Sequence, residues 1–338
     1  MAPSVSVLVA AHDAAATLDE ALASVAAQTA ADWECVVVDD GSTDGTAAVA
    51  EGRAAEDPRF RLLEREHEGV VAARNAGLAA SRGAWVALLD ADDRMHPRRL
   101  ELQLAAFAAD PRLVALGTHV RYFPEAALGE GRRAYEAWLN RHRSPADLRR
   151  DRYVEMPLGH PTMTVRADLL QGLGYRDQGW PEDWDLLQRL FETTAPEAVG
   201  VVPKVLHDWR LRPDSLSRRS PAYTEAAFTR CRAAFLARGF LADHADYALV
   251  GYGDTGKALR RALDAEGRTC RRIYELHPGR VGQRIDGAPV LHRDELAAPA
   301  ARELPLLVSV AGQDARETLR GVLADAGHED GTDFVCCA

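Results

Sequence analysis

Residues 5–90 alternate short, almost wholly apolar segments with amphipathic ones, and this alternation constrains the fold more than any other feature. Short apolar segments predict strands, and segments with apolar residues at helical spacing predict helices. The strands are expected at 5–11, 34–40, 60–65 and 84–90, and the helices at 17–28, 44–56 and 70–81. Apolar strands that alternate with helices indicate an α/β fold with a parallel sheet covered on both faces.

Acidic residues cluster where two of these strands end. Asp39 and Asp40 close the second strand, and Asp90, Asp92 and Asp93 follow the fourth in "WVALLDADD". Ligands of such sheets bind at the carboxyl ends of the strands, and a divalent cation bridging to phosphate groups would stabilise carboxylates packed this closely. The alternative is a turn whose aspartates cap the next helix. We favour function for Asp90 and Asp92, and both interpretations stay open for Asp93.

The strand and helix pattern restarts near residue 246. "YALVGYGDTGKALRRALDAEG" predicts a strand, a tight turn with Gly251, Gly253 and Gly256, and a helix, and Glu275 ends the next strand. This spacing fits the dinucleotide fingerprint, in which glycine lets a pyrophosphate approach the helix amino terminus. Three interpretations stay open: a packing module, a regulatory site for a nucleotide or nucleotide sugar, and an NAD site.

Charge and cysteine content limit the partners and the compartment. The chain has 41 basic and 51 acidic side chains and a formal net charge of −10, so nucleic acid is not an expected partner. Five cysteines lack metal-ligand spacing, and with no signal-peptide pattern they indicate a cytoplasmic protein. No apolar run approaches the roughly 18 residues that span a bilayer, so at most peripheral membrane association is expected.

Four segments, in order along residues 3 to 218, resemble the family 2 glycosyltransferases, which have the GT-A fold. They are "VSVLVAAHD" with "VVVDDGSTDGT", "GVVAARNAGLAASRGAWVALLDADDRMHPRRL", "GYRDQGWPEDWDLLQRL" and "HDWRLRPDSLS". The resemblance implies a mixed, mainly parallel sheet and an inverting, hexosyltransferase-like transfer that depends on Mn²⁺ or Mg²⁺. The donor would be a nucleotide sugar, with UDP expected, and the acceptor a hydroxyl group of a saccharide or lipid-linked molecule in surface polysaccharide or glycan biosynthesis.

The resemblance also implies a nucleotide-binding role for four residues. Asp40 corresponds to the carboxylate that pairs with the base, and Ala10 and His12 would line the base pocket, where His12 could stack on the ring. Arg74, in "AARNAG", resembles the arginine directed at the nucleotide. For His12 a partly exposed histidine without a role stays open, and for Arg74 a solvated charge on a helix.

The remaining implied roles concern the metal and the chemistry. Asp90 would lie near the ribose, and Asp92 corresponds to the carboxylate that binds the metal. Asp183, in "PEDWDLLQRL", would be the base that takes the proton of the acceptor hydroxyl, with Glu182 beside it. The alternative for Asp183 is a helix N-cap.

This chain departs from the family pattern at three positions. Ala10 and Asp13 stand where the family often has proline and asparagine, and Arg212 stands where a metal-binding histidine is frequent. A third protein ligand is therefore open, and Arg212 could neutralise the diphosphate instead. His207 lies nearby but out of position.

The expected organisation follows from these segments. The GT-A domain is expected at 1–219, a connecting helix at 220–244 and a small Rossmann-like βαβ domain at 245–338, while the arginine-rich stretch 120–157 predicts a solvated excursion or mobile lid. Two other functions stay open. One is a non-catalytic nucleotide-sugar sensor or scaffold, and the other is an NAD-linked oxidoreductase that uses the carboxyl-terminal domain.

Overall fold

The computed structural model describes residues 2–338, which divide into two compact units. The first comprises the described residues up to Arg149, Pro157–Gln178 and Glu182–Arg218. The second comprises Arg150–Met156, Gly179–Pro181 and Arg219–Ala338. Within residues 2–338, no helix combines the length and the apolar character needed to cross a bilayer.

The first unit is built on an eight-stranded sheet. Its strands are β1 (Val5–Ala11), β2 (Trp33–Asp40), β3 (Phe60–Arg65), β4 (Trp85–Asp90), β5 (Arg94–Met95), β6 (Ala115–Phe123), β7 (Thr164–Arg166) and β8 (Val199–Arg210). The helices along the chain up to residue 219 are α1 (Ala15–Ala26), α2 (Thr46–Glu56), α3 (Val70–Ala80), α4 (Arg99–Ala109), α5 (Glu130–Asn140), α6 (Pro145–Asp151), α7 (Ala167–Leu173), α8 (Glu182–Thr193) and α9 (Leu216–Arg219).

The strand order is β3-β2-β1-β4-β7-β6-β8-β5. Strands β3, β2, β1 and β4 are parallel, β7 is antiparallel to β4 and β6, β8 is parallel to β6, and β5 is antiparallel to β8. This mixed, mainly parallel sheet confirms the predicted fold class. Near the carboxyl end of β1, Ala10 lies beside Val38 of β2 and Asp90 of β4, so the three strand ends meet at one edge.

Apolar side chains on alternate positions of β1 and β2 pack against helices on both faces. Leu18 and Leu22 of α1 and Leu100 of α4 belong to the buried core with alternate residues of β1 and β2. On the opposite face, α3 approaches the sheet so closely that a Cβ atom on Gly77 would lie 2.0 Å from Cδ1 of Leu8. This close packing fixes the position of α3 over the strand ends.

The prediction of an irregular excursion at 120–157 is wrong for most of that stretch. It contains the end of β6, all of α5 and all of α6. Helix α5 buries Trp138 and Leu139, and Leu148 of α6 is fully buried. The dense arginines mask this pattern in the sequence because the apolar residues are few and fall on one side of each helix.

The second unit contains a six-stranded sheet in the order β11-β12-β10-β9-β13-β14. Its strands are β9 (Asp246–Val250), β10 (Thr269–Glu275), β11 (Arg284–Ile285), β12 (Ala288–His292), β13 (Leu306–Val308) and β14 (Phe334–Cys336), and its helices are α10 (Glu225–Arg238), α11 (Asp254–Ala265) and α12 (Gln313–Asp325). All neighbouring strands are parallel except β11, which is antiparallel to β12. Helix α10, expected as a connection at 220–244, groups with this unit.

Candidate functional site

Polar side chains of the first unit collect where β1, β2 and β4 end. Register places Ala10 beside Asp90 of β4, and the adjoining strand β2 ends at Asp40. Because parallel strands present their carboxyl ends at one edge, residues far apart in the chain become neighbours there. The structure thus brings together the predicted nucleotide-binding residues of the first ninety positions.

Asp40 is 2% exposed, and its carboxylate is held by donors from the segment after β3. It accepts hydrogen bonds from the backbone N–H groups of Gly69 at 2.8 Å and Glu68 at 3.2 Å. Nδ1 of His67 lies 2.8 Å from the carboxylate and Nε of Arg65 lies 3.4 Å from it. These contacts orient the carboxylate, which as an ionised group accepts hydrogen bonds only.

His12 and His67 form a stacked pair above the end of β2. Their ring centroids are 4.0 Å apart with an interplanar angle of 20°, and each Nδ1 lies within 3.0 Å of the Asp40 carbonyl oxygen. The pair offers exposed, flat ring surface to a planar ligand. Ligand atoms of His12, His67 and Asp40 also lie within 4.8 Å of one another, a spacing at which they could share a metal ion.

Arg74 connects two carboxylates that are distant in sequence. Its Nη1 donates to Oε1 of Glu182 at 2.6 Å, and its Nη2 lies 3.3 Å from Oδ1 of Asp90. The guanidinium carbon also lies 5.4 Å from the ring centroid of Tyr175. With Arg74 only 9% exposed and Glu182 only 3%, the interpretation of Arg74 as a solvated helix charge is wrong.

The segment before α8 is fastened to α3 by Asn75, the neighbour of Arg74. The Asn75 side chain accepts from the backbone N–H of Tyr175 at 2.8 Å and donates to its carbonyl oxygen at 3.0 Å. The Tyr175 hydroxyl lies 2.8 Å from Nε2 of His160, and both side chains are buried. Both hydrogen bonds of Asn75 are to the backbone of Tyr175, so they position the segment that leads into α8 and do not depend on the side chains of that segment.

The three aspartates after β4 have different surroundings. Asp93 is buried, and its carboxylate accepts from the backbone N–H of Arg210 at 2.7 Å and lies 2.8 Å from Nε2 of His207. It therefore links the end of β4 to β8, and it does not cap α4, whose N-cap residue is Arg98. His207 is buried as well, with Nε2 on the Asp93 carboxylate and Nδ1 3.5 Å from Nη1 of Arg99.

Asp92 lies in a strongly negative environment. Burial, and then the charges of Asp93 and Asp90, raise its pKa to about 7, while the charge of Arg212 acts in the opposite direction. Arg212 itself pairs with Asp214 at 2.7 Å. Carboxyl oxygens crowded in this way are suitable ligands for a hard divalent cation, which would remove their mutual repulsion. Asp92, with the partly exposed Asp90 beside it, therefore fits the expected metal.

Asp183 lies within the first turn of α8, because the helix begins at Glu182. Its carboxylate accepts from the backbone N–H of Trp184 at 2.7 Å and remains partly exposed. Burial, and then the charge of Glu182, raise the pKa of Asp183, while the charge of Arg74 lowers it. A carboxylate whose proton affinity is increased in this way is a better proton acceptor at neutral pH.

Two further residues of α8 have structural contacts. Asp185 accepts from Nε of Arg189 at 2.6 Å, and the same guanidinium donates to the carbonyl oxygens of Leu173 at 2.8 Å and Gly174 at 2.7 Å. These contacts hold α8 against the end of α7.

His67, His160 and Tyr175 belong to the neighbourhood of the site but received no role from the sequence. His67 lies in a loop without a motif, and nothing in its sequence neighbours indicates the stack with His12. Tyr175 lies in "GYRD", at the start of the family-like segment that contains Asp183, and this position is the sequence signal that could have identified it. His160 becomes relevant only through the fold, which places Nε2 of its ring 2.8 Å from the Tyr175 hydroxyl.

Comparison with known proteins gives one family and several relatives. The model of the family described as "Glycosyl transferase family 2" matches residues 6–174. The succinoglycan biosynthesis protein ExoO of Rhizobium meliloti is 39% identical over 136 residues, which are 37% of this chain and 38% of that protein. The putative glycosyltransferase EpsE of Bacillus subtilis is 32% identical over 196 residues, which are 56% of this chain and 67% of that protein.

The structure is also similar to S. aureus TarS 1-349 in complex with UDP-GlcNAc. The TM-score is 0.54 at 18% sequence identity, and the match covers 78% of this chain and 71% of that chain. At this identity the likeness concerns the fold alone. The chain spans 38% of the length of ExoO and 16% of the O-antigen biosynthesis protein RfbC of Myxococcus xanthus, to which it is 35% identical over 213 residues.

Proposed function

The chain belongs to glycosyl transferase family 2, and we propose that it transfers a sugar from a nucleotide sugar, with UDP expected, to a hydroxyl group of a saccharide or lipid-linked acceptor in polysaccharide or glycan biosynthesis. The observation that carries the proposal is the position of Arg74 between Asp90 and Glu182. It joins the strand ends expected to bind the nucleotide to the helix that carries the expected base. The names of ExoO and RfbC support a polysaccharide product.

The donor would bind at the ends of β1 and β2. Asp40, oriented by the backbone N–H groups of Gly69 and Glu68, would accept the ring N–H of uracil. The His12 and His67 rings would supply a flat contact for the base, and Ala10 would form the wall between them and Asp90.

Asp92 would hold Mn²⁺ or Mg²⁺, and Asp90 would lie near the ribose. A bound divalent cation supplies charge neutralisation for the leaving diphosphate. The chain's own contribution at this point is cationic: Arg212 lies near enough to Asp92 to influence its ionisation, and Arg74 lies 3.3 Å from Asp90. Both guanidinium groups would orient phosphate oxygens and favour their negative charge.

Asp183 would act as the base and Glu182 as its positioning neighbour. The carboxylate of Asp183 takes the proton of the acceptor hydroxyl, whose oxygen forms the new bond to the anomeric carbon as the bond to the diphosphate oxygen breaks. A single displacement of this kind inverts the anomeric configuration. Glu182 accepts from Arg74 at 2.6 Å, while the carboxylate of Asp183 accepts from the backbone N–H of Trp184, which supports this division of roles.

The test is turnover of a panel of UDP-hexoses with simple glycoside acceptors, followed by UDP release and by NMR of the product anomer. We expect an inverted product, and a fall in kcat of about 10²- to 10⁴-fold in Asp183→Asn with UDP binding retained. Glu192→Gln, an exposed change on the same helix, is the matched control. Unchanged kcat in Asp183→Asn would overturn the assignment of the base, and UDP binding without any turnover would favour a sensor.

A further inference from the structure

We propose that a cavity in the second unit binds the ribosyl diphosphate part of a nucleotide. The cavity has a volume of about 410 Å³ and lies where β9, β10 and β13 end. Its walls are the glycine turn after β9, the segment Glu275–Arg280 after β10 and the segment Ser309–Ala311 after β13. This volume falls in the range of small-molecule sites.

The position of the cavity follows from the strand order. The chain passes from β9 to β10 on one side and places β13 on the other side of β9, so the connections after β9 and β13 diverge. Divergence of this kind opens a crevice outside the carboxyl ends of the strands, which is where ligands of open α/β sheets bind.

Two of the three glycines around the turn are required by close packing within the protein. Gly251 has a φ of +87°, and a Cβ atom there would lie 2.5 Å from Cγ2 of Val310. A Cβ atom on Gly256 would lie 2.8 Å from the Gly251 carbonyl oxygen and 2.7 Å from Oγ of Ser309. These two glycines are therefore required by the protein's own packing, and they hold the turn tightly against the start of α11.

Packing within the protein does not require glycine at position 253. Nothing lies within 4 Å of a Cβ atom built on it, and its φ of −76° suits any residue. It occupies the N-cap position of α11, where no side chain caps the helix, and it lines the cavity. A glycine here leaves the first N–H groups of a twelve-residue helix accessible to a phosphate group.

Glu275 supplies a second, independent feature that points to a ribose. It ends β10, lines the cavity and is 7% exposed. Its two contacts are long, at 3.2 Å from the backbone N of Leu276 and 3.4 Å from Nη1 of Arg280. A buried carboxylate in this position can accept hydrogen bonds from the two ribose hydroxyl groups, and it would repel a 2′-phosphate.

Arg280 provides a cation at the same opening. Its Nη1 donates to the Tyr252 carbonyl oxygen at 2.6 Å, which anchors it beside the glycine turn while its side chain stays 43% exposed. A guanidinium held here can offer further N–H groups to a diphosphate. NAD⁺ and nucleoside diphosphate sugars share the ribosyl diphosphate, so the chemistry of the cavity fits both.

The test is calorimetric titration of the full chain with NAD⁺, NADP⁺ and UDP-glucose in EDTA, which separates it from the metal-dependent donor site. The variants are Gly253→Val, whose side chain enters open space, and Glu275→Gln. Glu266→Gln, exposed beyond the other end of α11, is the control. We expect NAD⁺ or UDP-glucose to bind the wild type and the control, and affinity to fall about tenfold or more in the other two variants.

Each outcome decides a separate point. Binding of NAD⁺ alone identifies a dinucleotide, and binding of UDP-glucose that Gly253→Val removes identifies a nucleotide sugar. Absence of binding by all three nucleotides at about 1 mM overturns the proposal, as does binding that neither variant changes. NADP⁺ binding as tight as NAD⁺ overturns the role of Glu275. These readouts do not depend on whether the first unit binds UDP.

Discussion

Arg74 donates a 2.6 Å hydrogen bond to the carboxylate of Glu182, 108 positions further along the chain. Both side chains are buried, and the same guanidinium lies 3.3 Å from Asp90. The contact links α3 and the end of β4 to the first turn of α8, so the proposed nucleotide-binding and proton-transfer residues depend on one side chain for their relative position.

The Arg74–Glu182 pair should show strong energetic coupling. Removal of one partner takes a charged hydrogen bond of 2.6 Å away from a buried group, so Arg74→Ala and Glu182→Ala should each lower the free energy of unfolding by about 3 kcal/mol. The double variant should lose less than the sum, with a coupling of about 1–3 kcal/mol. Chemical denaturation of the four proteins measures this. If the loss of unfolding free energy in the double variant equals the sum of the two single losses, the two side chains are not energetically coupled.

Substitution of Asp93 should destabilise the protein, whereas substitution of Asp92 should not. Asp93→Ala leaves His207 and the Arg210 N–H without their buried acceptor, so it should lower the free energy of unfolding by about 3 kcal/mol. Asp92→Ala removes a carboxylate that its neighbours repel, and stability in EDTA should not fall. Equal destabilisation by both would show that Asp92 is also a structural residue.

Gly77 and Gly52 form a matched pair of helix glycines. A Cβ atom on Gly77 would lie 2.0 Å from Leu8 and 3.0 Å from Val38, so Gly77→Ala should cost about 1–3 kcal/mol and should displace Arg74 on the same helix. Nothing lies within 4 Å of a Cβ atom on Gly52 in α2, so Gly52→Ala should stabilise by about 0.5–1 kcal/mol. Thermal unfolding measures the change in stability of each variant. Stabilisation by both substitutions would contradict the close packing of α3 against the sheet.

Asp183→Asn should stabilise the protein as it removes activity. Burial and Glu182 raise the pKa of Asp183 to about 7, so the folded chain binds this proton more tightly than the unfolded chain. The associated stability is present below the unfolded pKa and is lost as the pH rises through about 7. Asparagine mimics the protonated group, so Tm without metal should rise by about 2 °C or more near pH 8 and change little near pH 5.5. An equal fall in Tm at both pH values would contradict a raised pKa.

The sequence predicted those parts of the fold that local pattern specifies. Strands β1 to β4 and helices α1 to α3 lie where apolar periodicity placed them, and Asp40, Asp90 and Asp92 lie at strand ends because parallel strands present those ends together. The short strands β11, β12 and β14 were not predicted, because two to five residues carry no recognisable period.

The remaining features depend on tertiary structure. The partners of Arg74 could not be read from the chain, because Glu182 reaches it only after β7 and α7 have been placed. His67 belongs to a loop, and its stack with His12 exists because β3 lies beside β2. Trp138 and Leu139 of α5 were hidden among arginines, where charge density resembles that of a solvated segment.

The most direct test of the donor site is calorimetric titration of UDP, and then GDP, with and without Mn²⁺, into the wild type, Asp92→Ala and His67→Ala. The control His67→Ala disrupts the other group of side chains whose spacing suits a metal. We expect Mn²⁺-dependent binding of UDP to the wild type and loss of the metal dependence in Asp92→Ala. In His67→Ala we expect weaker binding, because the ring lies in the proposed base pocket, but the metal dependence should be retained. No binding of either nucleotide in Mn²⁺, or equal metal-dependent binding to Asp92→Ala, would contradict the account.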